Sequence, residues 1–374
     1  MNLLNESKYD RQERISWWDQ SLLRRSKVLV VGAGALGNEL VKNLTLLGIG
    51  EIHVVDMDTI EHTNLARCVF FKEGDEGKYK ADVLAQAAHS LNPDVITKAY
   101  SYPVQKLGSG FLSQFDAVVG GLDNREARLW VNRACRRLGI FWVDGAIEGL
   151  HGVVQSFWKS GACYECTLTE VDWQILAHRR SCALLGVAEM QQGKTPTNAT
   201  TASVVAAIQV QEVVKFLVQK YELLSLIGKQ WTLLGESMSS FVTRIDEDEF
   251  CLAHDDGVTV GSSTVKPSNL KQLLGHISQP AFVAMDLTDD LLTIAACEEC
   301  NLGGSTGLRS LLAEGEGSCR NCGDNLNVYA RTSLTWDDPA LEMPFDSLSW
   351  SICELIHIRT QAGRESILVW SDNE

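Results

Sequence analysis

Residues 27–58 read KVLVVGAGALGNELVKNLTLLGIGEIHVVDMD. Val28–Val31 is a continuous apolar, β-branched run, the pattern of a strand buried on both faces of a parallel sheet. The loop Gly32-Ala-Gly-Ala-Leu-Gly37 follows, and apolar residues recur at helical spacing from about Asn38 to Leu47. A second strand, Ile52–Val55, ends on Asp56. Strand, glycine turn, helix and strand make a βαβ nucleotide-binding unit. Gly32 permits the tight turn, Gly34 lets the backbone approach a phosphate, and Gly37 allows close helix–strand packing. The helix N-terminus faces the phosphates with its partial positive charge. Asp56, one strand beyond the glycine loop and its helix, stands where an acid can hydrogen-bond ribose hydroxyls. Alone, the stretch specifies an adenine nucleotide; the competing account is a turn made tight only for packing.

The rest of the chain bounds what that unit serves. Its 374 residues suffice for roughly two to three domains and a large core. Apolar residues make up 45% and charged residues 22%, as in ordinary globular proteins. The 33 basic against 48 acidic residues give a net charge of −15, which argues against broad binding to nucleic acid or an anionic membrane. The opening MNLLNESKYDRQERI lacks the charged-then-apolar pattern of a signal peptide, and no apolar run approaches the length of a membrane span. Eleven cysteines include four Cys-x-x-Cys or Cys-x-x-His pairs. Without an export signal such pairs favour metal over disulfides, so the cytosol is the expected compartment.

Along the chain, residues 1–26 predict a short amphipathic helical lead-in. Helices are predicted over Ala81–Ser90 and Arg125–Leu138, with strands at Val95–Ala99, Phe115–Gly120 and Phe141–Val143. This alternation predicts an α/β fold with a doubly wound, mostly parallel Rossmann-like sheet. Residues 151–160 resemble an antiparallel strand, and 163–202 are irregular. Val204–Val218 is a nearly all-round apolar helix, hence buried. Trp231–Asp246 reads as two short strands, and residues 255–268 as a linker. The expected division is therefore 1–262, with a crossover loop at about 167–202, and a small α+β domain at 263–374.

Polar residues collect at strand ends, where open α/β sheets place ligands. Asp56 and Asp58 follow the second strand, and Asp123 follows FDAVVG. Arg67 and Lys80 lie in or just beyond the loop after the second strand. A dehydrogenase needs Asp56 but has no use for two cations and a second strand-end carboxylate. ATP does, because cations offset the triphosphate charge and a carboxylate holds Mg²⁺. Each of these residues taken singly could be an ordinary surface charge.

In order, YDRQ at 9–12, GAGALG at 32–37, DMD at 56–58, NLAR at 64–67, GKYK at 77–80 and LDN at 122–124 resemble the ThiF/MoeB family. That family includes sulfur-carrier adenylyltransferases and the adenylation domains of ubiquitin-like protein-activating enzymes, and the resemblance covers about residues 8–255. It implies that Asp56 holds the ribose and that Asn64, Arg67 and Lys80 face the phosphates. It implies that Asp123 coordinates Mg²⁺ near the reacting carboxylate. Arg11 resembles the family arginine that reaches into the partner subunit's ATP site, which implies a homodimer. Lys78 is an alternative to Lys80, and Cys68 stands where Arg67 is usually followed by glutamine. The implied chemistry is attack of a C-terminal carboxylate on the α-phosphorus of ATP with loss of pyrophosphate.

Cys163-Tyr-Glu-Cys166 and, far along the chain, Cys251-Leu-Ala-His254 provide four ligands for tetrahedral Zn²⁺. The family often has a cysteine at the place of His254, and Cys₃His is a common zinc site. Cys297-Glu-Glu-Cys300 and Cys319-Arg-Asn-Cys322, separated by one short loop, carry a zinc-ribbon spacing outside the resemblance. Unpaired buried thiols, or a redox function for the second set, are the alternatives. Cys182 lies in the irregular segment as His178-Arg-Arg-Ser-Cys182, outside every pair. Its arginine neighbours favour the thiolate, and it resembles in position the thioester-forming cysteine of activating enzymes. Cys68, Cys135 and Cys353 read as ordinary thiols in apolar surroundings.

The expected function is ATP- and Mg²⁺-dependent adenylation of a ubiquitin-like protein, thioester formation on Cys182, and transfer to a conjugating enzyme that the C-terminal domain could recruit. The alternatives are a sulfur-carrier adenylyltransferase that stops at the acyl-adenylate and a non-catalytic partner subunit of a heterodimeric activating enzyme. A dinucleotide oxidoreductase is disfavoured by the second aspartate and the cations.

Overall fold

The computed structural model describes residues 7–159, 161–174, 196–251, 253–254, 264–275, 279–312 and 317–370. Contacts divide the chain into two compact units. The first takes in residues up to 104, 113–167 and 193–257; the second takes in 105–112, 168–192 and everything from 258 onward.

The first unit opens with the short helical lead-in, as two one-turn helices α1 (Asp10–Glu13) and α2 (Gln20–Leu23). Then come β1 (Lys27–Val31), α3 (Ala35–Leu47), β2 (Glu51–Val55), α4 (Lys80–Leu91), β3 (Ile96–Tyr100), β4 (Ala117–Gly120), α5 (Arg125–Leu138) and β5 (Phe141–Glu148). These five strands are parallel, and β6 (His151–Phe157), β7 (Lys229–Leu234) and β8 (Ser239–Arg244) extend the sheet antiparallel. The strand order is β3-β2-β1-β4-β5-β6-β7-β8.

Local signals explain the boundaries. Helix α3 stops at Gly48, whose φ of 75° is left-handed and lets its amide reach the carbonyls of Leu44 and Thr45. Asn124 caps α5 by accepting from the amide of Ala127 at 2.7 Å. Helix α6 (Ala199–Leu217) packs against α3, β5 and β6, and Val205, Val210, Val213 and Leu217 are among its buried residues. Phe216 of α6 stacks on Phe141 of β5 at 4.3 Å. Each fully buried aliphatic side chain in this core, such as Leu40 or Ile52, contributes about 1.5–3 kcal/mol.

The second unit is a six-stranded sheet of β9 (Thr264–Val265), β10 (Phe282–Ile294), β11 (Ser305–Leu308), β12 (Val328–Leu334), β13 (Cys353–Thr360) and β14 (Gly363–Trp370). All its pairings are antiparallel except β14 with β9. Its own core includes Trp350, Leu291, Met285 and Ile356. Among its described residues from 264 onward the helical part is confined to 3₁₀ turns, one of them over Leu270–Leu274. The segment 105–112 joins this unit through Lys106, whose carbonyl accepts the amide of Ile352 at 2.7 Å. It also joins through Ser109, which hydrogen-bonds the fully buried carboxylate of Glu354. Burial pushes the Glu354 carboxyl up, against the pull of the Ser109, Thr288 and Ser351 hydroxyls. Among the described residues no helix is long and apolar enough to cross a membrane.

Candidate functional site

Strand order reverses between β1 and β4, the switch point at which open α/β sheets hold ligands beyond their C-terminal strand ends. The loop Gly32–Gly37 leaves β1 there, Asp56–Asp58 follow β2, and Asp123 follows β4. Gly32 has φ +100°, and a Cβ on it would come within 2.5 Å of the Gly121 carbonyl oxygen. A Cβ on Gly37 would fall 1.9 Å from the Gly32 carbonyl oxygen, whereas one on Gly34 would meet nothing within 4 Å. Gly32 is thus pressed against the chain leaving β4 and Gly37 against Gly32, while Gly34 leaves its backbone open to a ligand.

Asp56 accepts the amide hydrogens of Ala33 at 2.6 Å and of Asp58 at 2.8 Å. Burial pushes its carboxyl up, against those two amides and Lys80. An antiparallel bridge between Thr59 and Tyr79 folds the long loop back, so the Lys80 amide donates to the Asp58 carbonyl at 2.9 Å. The Lys80 ammonium, 12% exposed, then pairs with the Asp58 carboxylate at 2.7 Å. Burial lowers its pKa, but the hydrogen bond to Asp58 and the charges of Asp56, Asp58 and Asp123 outweigh that, so it stays an ammonium. Lys78 pairs instead with Asp75 at 2.8 Å. Of the two lysines, Lys80 is the one among the strand-end carboxylates.

Asn64 is buried, and its side-chain oxygen accepts the Glu61 amide at 2.8 Å. Arg67 donates to the Thr63 carbonyl at 3.2 Å. Asp123 stands beside the cap of α5. Arg11 is exposed on α1, and no hydrogen bond or ion pair among the described residues joins it to this group. Cys182, with His178, Arg179 and Arg180, lies outside the described residues. Cys68 is buried, and burial pushes its thiol up to about 11; Cys135 and Cys353 are buried and shifted upward for the same reason.

The sequence reading passed over several residues that support this end of the sheet. Buried Arg128 donates to the Leu122 carbonyl at 2.6 Å and the Gly145 carbonyl at 3.2 Å, and its Nε stands 2.9 Å from Asp144. Burial pushes the Asp144 carboxyl up to about 6, against the pull of Arg128. A lone acid ending the apolar run FWV was the available signal. Asn38, in α3, hydrogen-bonds the glycine loop and the backbone of Phe70. It had no signal beyond a polar residue inside an apolar helix.

The four ligand atoms of Cys163, Cys166, Cys251 and His254 all lie within 4.8 Å of one another. Cys163 Sγ stands 3.6 Å from Cys251 Sγ and 3.9 Å from Cys166 Sγ, and Cys166 Sγ stands 3.3 Å from His254 Nε2. A tetrahedron with Zn–S bonds of about 2.3 Å has edges of about 3.8 Å, so the arrangement fits zinc. Helix α5 supports it. Asn132 donates to Cys163 Sγ at 3.4 Å and accepts the Tyr164 amide at 3.0 Å. Arg133 forms two 2.8 Å bonds to Glu165, whose side chain is fully buried. His254 Nδ1 faces Glu247 at 3.3 Å, the outer partner that a metal-bound imidazole usually has.

Cys297, Cys300, Cys319 and Cys322 form the second set, again within 4.8 Å, with Cys297 Sγ 3.6 Å from Cys322 Sγ. Its outer contacts are fewer. Asn321 donates to Cys300 Sγ at 3.3 Å, and Cys322 Sγ stands 3.2 Å from the Asp324 carboxylate. The soft thiolate donors fit Zn²⁺ in both sets.

Residues 9–252 match the ThiF family. Over 152 residues the chain is 38% identical to the NEDD8-activating enzyme E1 catalytic subunit of Saccharomyces cerevisiae, covering 38% of this chain and 51% of that protein. The chain thus spans about half the length of that relative, and less of several others. It is 34% identical over 206 residues to the SAMP-activating enzyme E1 of Haloferax volcanii, covering 55% of this chain and 72% of that one. Among solved structures it is similar to E. coli MccB determined with ATP, with a TM-score of 0.56 and 25% identity over 67% of this chain and 75% of that one. The match runs through the glycine loop, the strand-end carboxylates and the three cysteines of the first set, and on that extent this chain belongs to the ThiF family.

Proposed function

We propose that this chain uses ATP to adenylate the C-terminal carboxylate of a ubiquitin-like protein and then holds that protein as a thioester on Cys182. The observation that carries the proposal is Lys80, a charged ammonium set among Asp56, Asp58 and Asp123 beside an open glycine loop. An ammonium held among strand-end carboxylates suits a polyphosphate that arrives with Mg²⁺ better than a dinucleotide. The names of the NEDD8- and SAMP-activating relatives, and MccB determined with ATP, support the same chemistry.

The incoming carboxylate is already ionised near neutrality, so it needs no general base. Its oxygen bonds to the α-phosphorus as the bond to the bridging oxygen breaks, and pyrophosphate leaves with the electron pair. The thiolate of Cys182 then attacks the acyl carbon, a C–S bond forms, and AMP leaves. Asp56, with about two of its four lone-pair sites used by backbone amides, retains acceptors for ribose hydroxyls. Asn64, Arg67 and Lys80 orient the phosphates, and Arg11 serves the site of a second copy in a homodimer. Asp58 holds Lys80, and Asp123 holds Mg²⁺. When bound, Mg²⁺ offsets phosphate charge. Zn²⁺ at each cysteine set is structural. In this assignment residues 1–262 are the adenylation domain, 263–374 recruit a conjugating enzyme or the carrier, and the compartment is the cytosol.

ATP–pyrophosphate exchange with diglycine-ended carriers, followed by non-reducing gels, tests the proposal. Exchange and a band lost on thiol treatment are expected, and Cys182→Ala should keep exchange while losing the band. A thiol-sensitive band that persists in Cys182→Ala would show the nucleophile to be wrong. Exchange with no such band in the unaltered protein would favour an enzyme that stops at the acyl-adenylate, the second reading.

A further inference from the structure

We propose that Asn38 is a positioning residue for ATP: its buried side-chain amide locks the glycine loop to the segment that carries Arg67, so that both meet one set of phosphates. The inference rests on the ATP reading above. Asn38 is fully buried in α3. Its Nδ2 donates to the carbonyls of Ala33 at 2.9 Å and Gly34 at 3.1 Å, and its Oδ1 accepts the Phe70 amide at 3.1 Å. Phe70 lies just beyond Arg67, in a run of turns held by the Arg67 and Cys68 amides on the Asn64 carbonyl.

The geometry gives this one amide an uncommon reach. Ala33 is held on both sides, its N–H by Asp56 at 2.6 Å and its C=O by Asn38. The open backbone at Gly34 is thereby fixed next to the ribose-end carboxylate. The same side chain spans 32 residues of sequence to fix the loop after β2. An asparagine side chain has two N–H donors and an oxygen that accepts, and here both kinds of group are used without a water. An apolar residue of similar size would fill the space but leave the Ala33 carbonyl and the Phe70 amide to find other partners. The two loops would then drift independently, and phosphate contacts from Gly34 and Arg67 would no longer be made together.

The test is a double-mutant cycle on the full chain, with Mg²⁺-ATP affinity read by isothermal titration calorimetry and folding read by the melting temperature without ligand. Asn38→Ala is expected to weaken ATP binding by about 10–50-fold, the scale of lost buried hydrogen bonds. In an Arg67→Ala background the same change should cost less than about threefold, because the loop it positions no longer carries the arginine. A residue that merely held the fold would cost the same factor in both backgrounds, and that outcome overturns the proposal. So does an Asn38→Ala protein that binds ATP within about threefold of the unaltered chain. If Asn38→Ala does not fold, Asn38→Ser decides instead. Its hydroxyl can bond back to the Gly34 carbonyl but cannot also serve Phe70, so a loss of about 3–10-fold that vanishes with Arg67→Ala is expected. Unchanged affinity overturns the proposal. An unaltered chain that does not bind ATP at all overturns the ATP reading itself, and this inference with it.

Discussion

The two cysteine sets have nearly the same chemical inventory but differ in how far apart their ligands lie in the chain and in what braces them. The first brings together Cys163 and Cys251, 88 positions apart, and α5 braces it with Asn132 on a sulfur and Arg133 on a fully buried Glu165. The second brings together Cys297 and Cys322, only 25 positions apart. Cys297 and Cys319 are buried and Cys322 is exposed, and the side-chain outer contacts of this set come from Asn321 and Asp324. A metal that closes a long loop restricts the unfolded chain more than one that closes a short loop, though the entropy grows only as the logarithm of length. The larger difference comes from the surroundings. In the first set the metal position is built into the polar row of a helix whose other end caps the loop of Asp123. In the second it is a local clip.

Three substitutions test that contrast. Cys163→Ser should have the largest effect: loss of one of two zinc equivalents by metal analysis, and a melting temperature lower by about 10 °C or more, since structural zinc supplies folding free energy directly. ATP affinity should fall with it. Arg133→Ala should come next. It leaves Glu165 buried without its bidentate partner, a loss of about 2–4 kcal/mol in chemical denaturation, with zinc content retained. Were Arg133→Ala neutral, the bracing ascribed to α5 would be refuted. Cys322→Ser should be the mildest: loss of the other zinc equivalent, a small change in melting confined to the second unit, and ATP affinity within about twofold of the unaltered chain. If Cys322→Ser abolished ATP binding, the second set could not be a local clip.

Much of the nucleotide end was legible in the chain because its signals are local. A strand, three glycines at fixed offsets and an acid ending the next strand must lie close together in any βαβ unit, whatever the rest does. The helix over Arg125–Leu138 was read to the residue, because Asn124 and Gly139 mark its ends chemically. The cysteine pairs announced themselves by spacing, since two ligands with two residues between them can share one ion. The C-terminal unit was read less well. It reads in sequence only as an α+β module, and the amphipathic Leu270–Leu274 makes only a 3₁₀ turn.

What the sequence by itself determined is therefore the set of groups and their local geometry: the glycine loop, the strand-end aspartates and four ligands in each cysteine set. Only the tertiary structure decided which groups meet. It took the bridge from Thr59 to Tyr79 to set Lys80 against Asp58 and leave Lys78 on Asp75. It took packing across 245 residues to put Ser109 on Glu354, and across 32 residues to put Asn38 under Phe70. The reason is physical. Backbone propensity and side-chain period act over a few residues, whereas the direction in which a side chain points, and the partner it finds there, is set by elements distant in the chain.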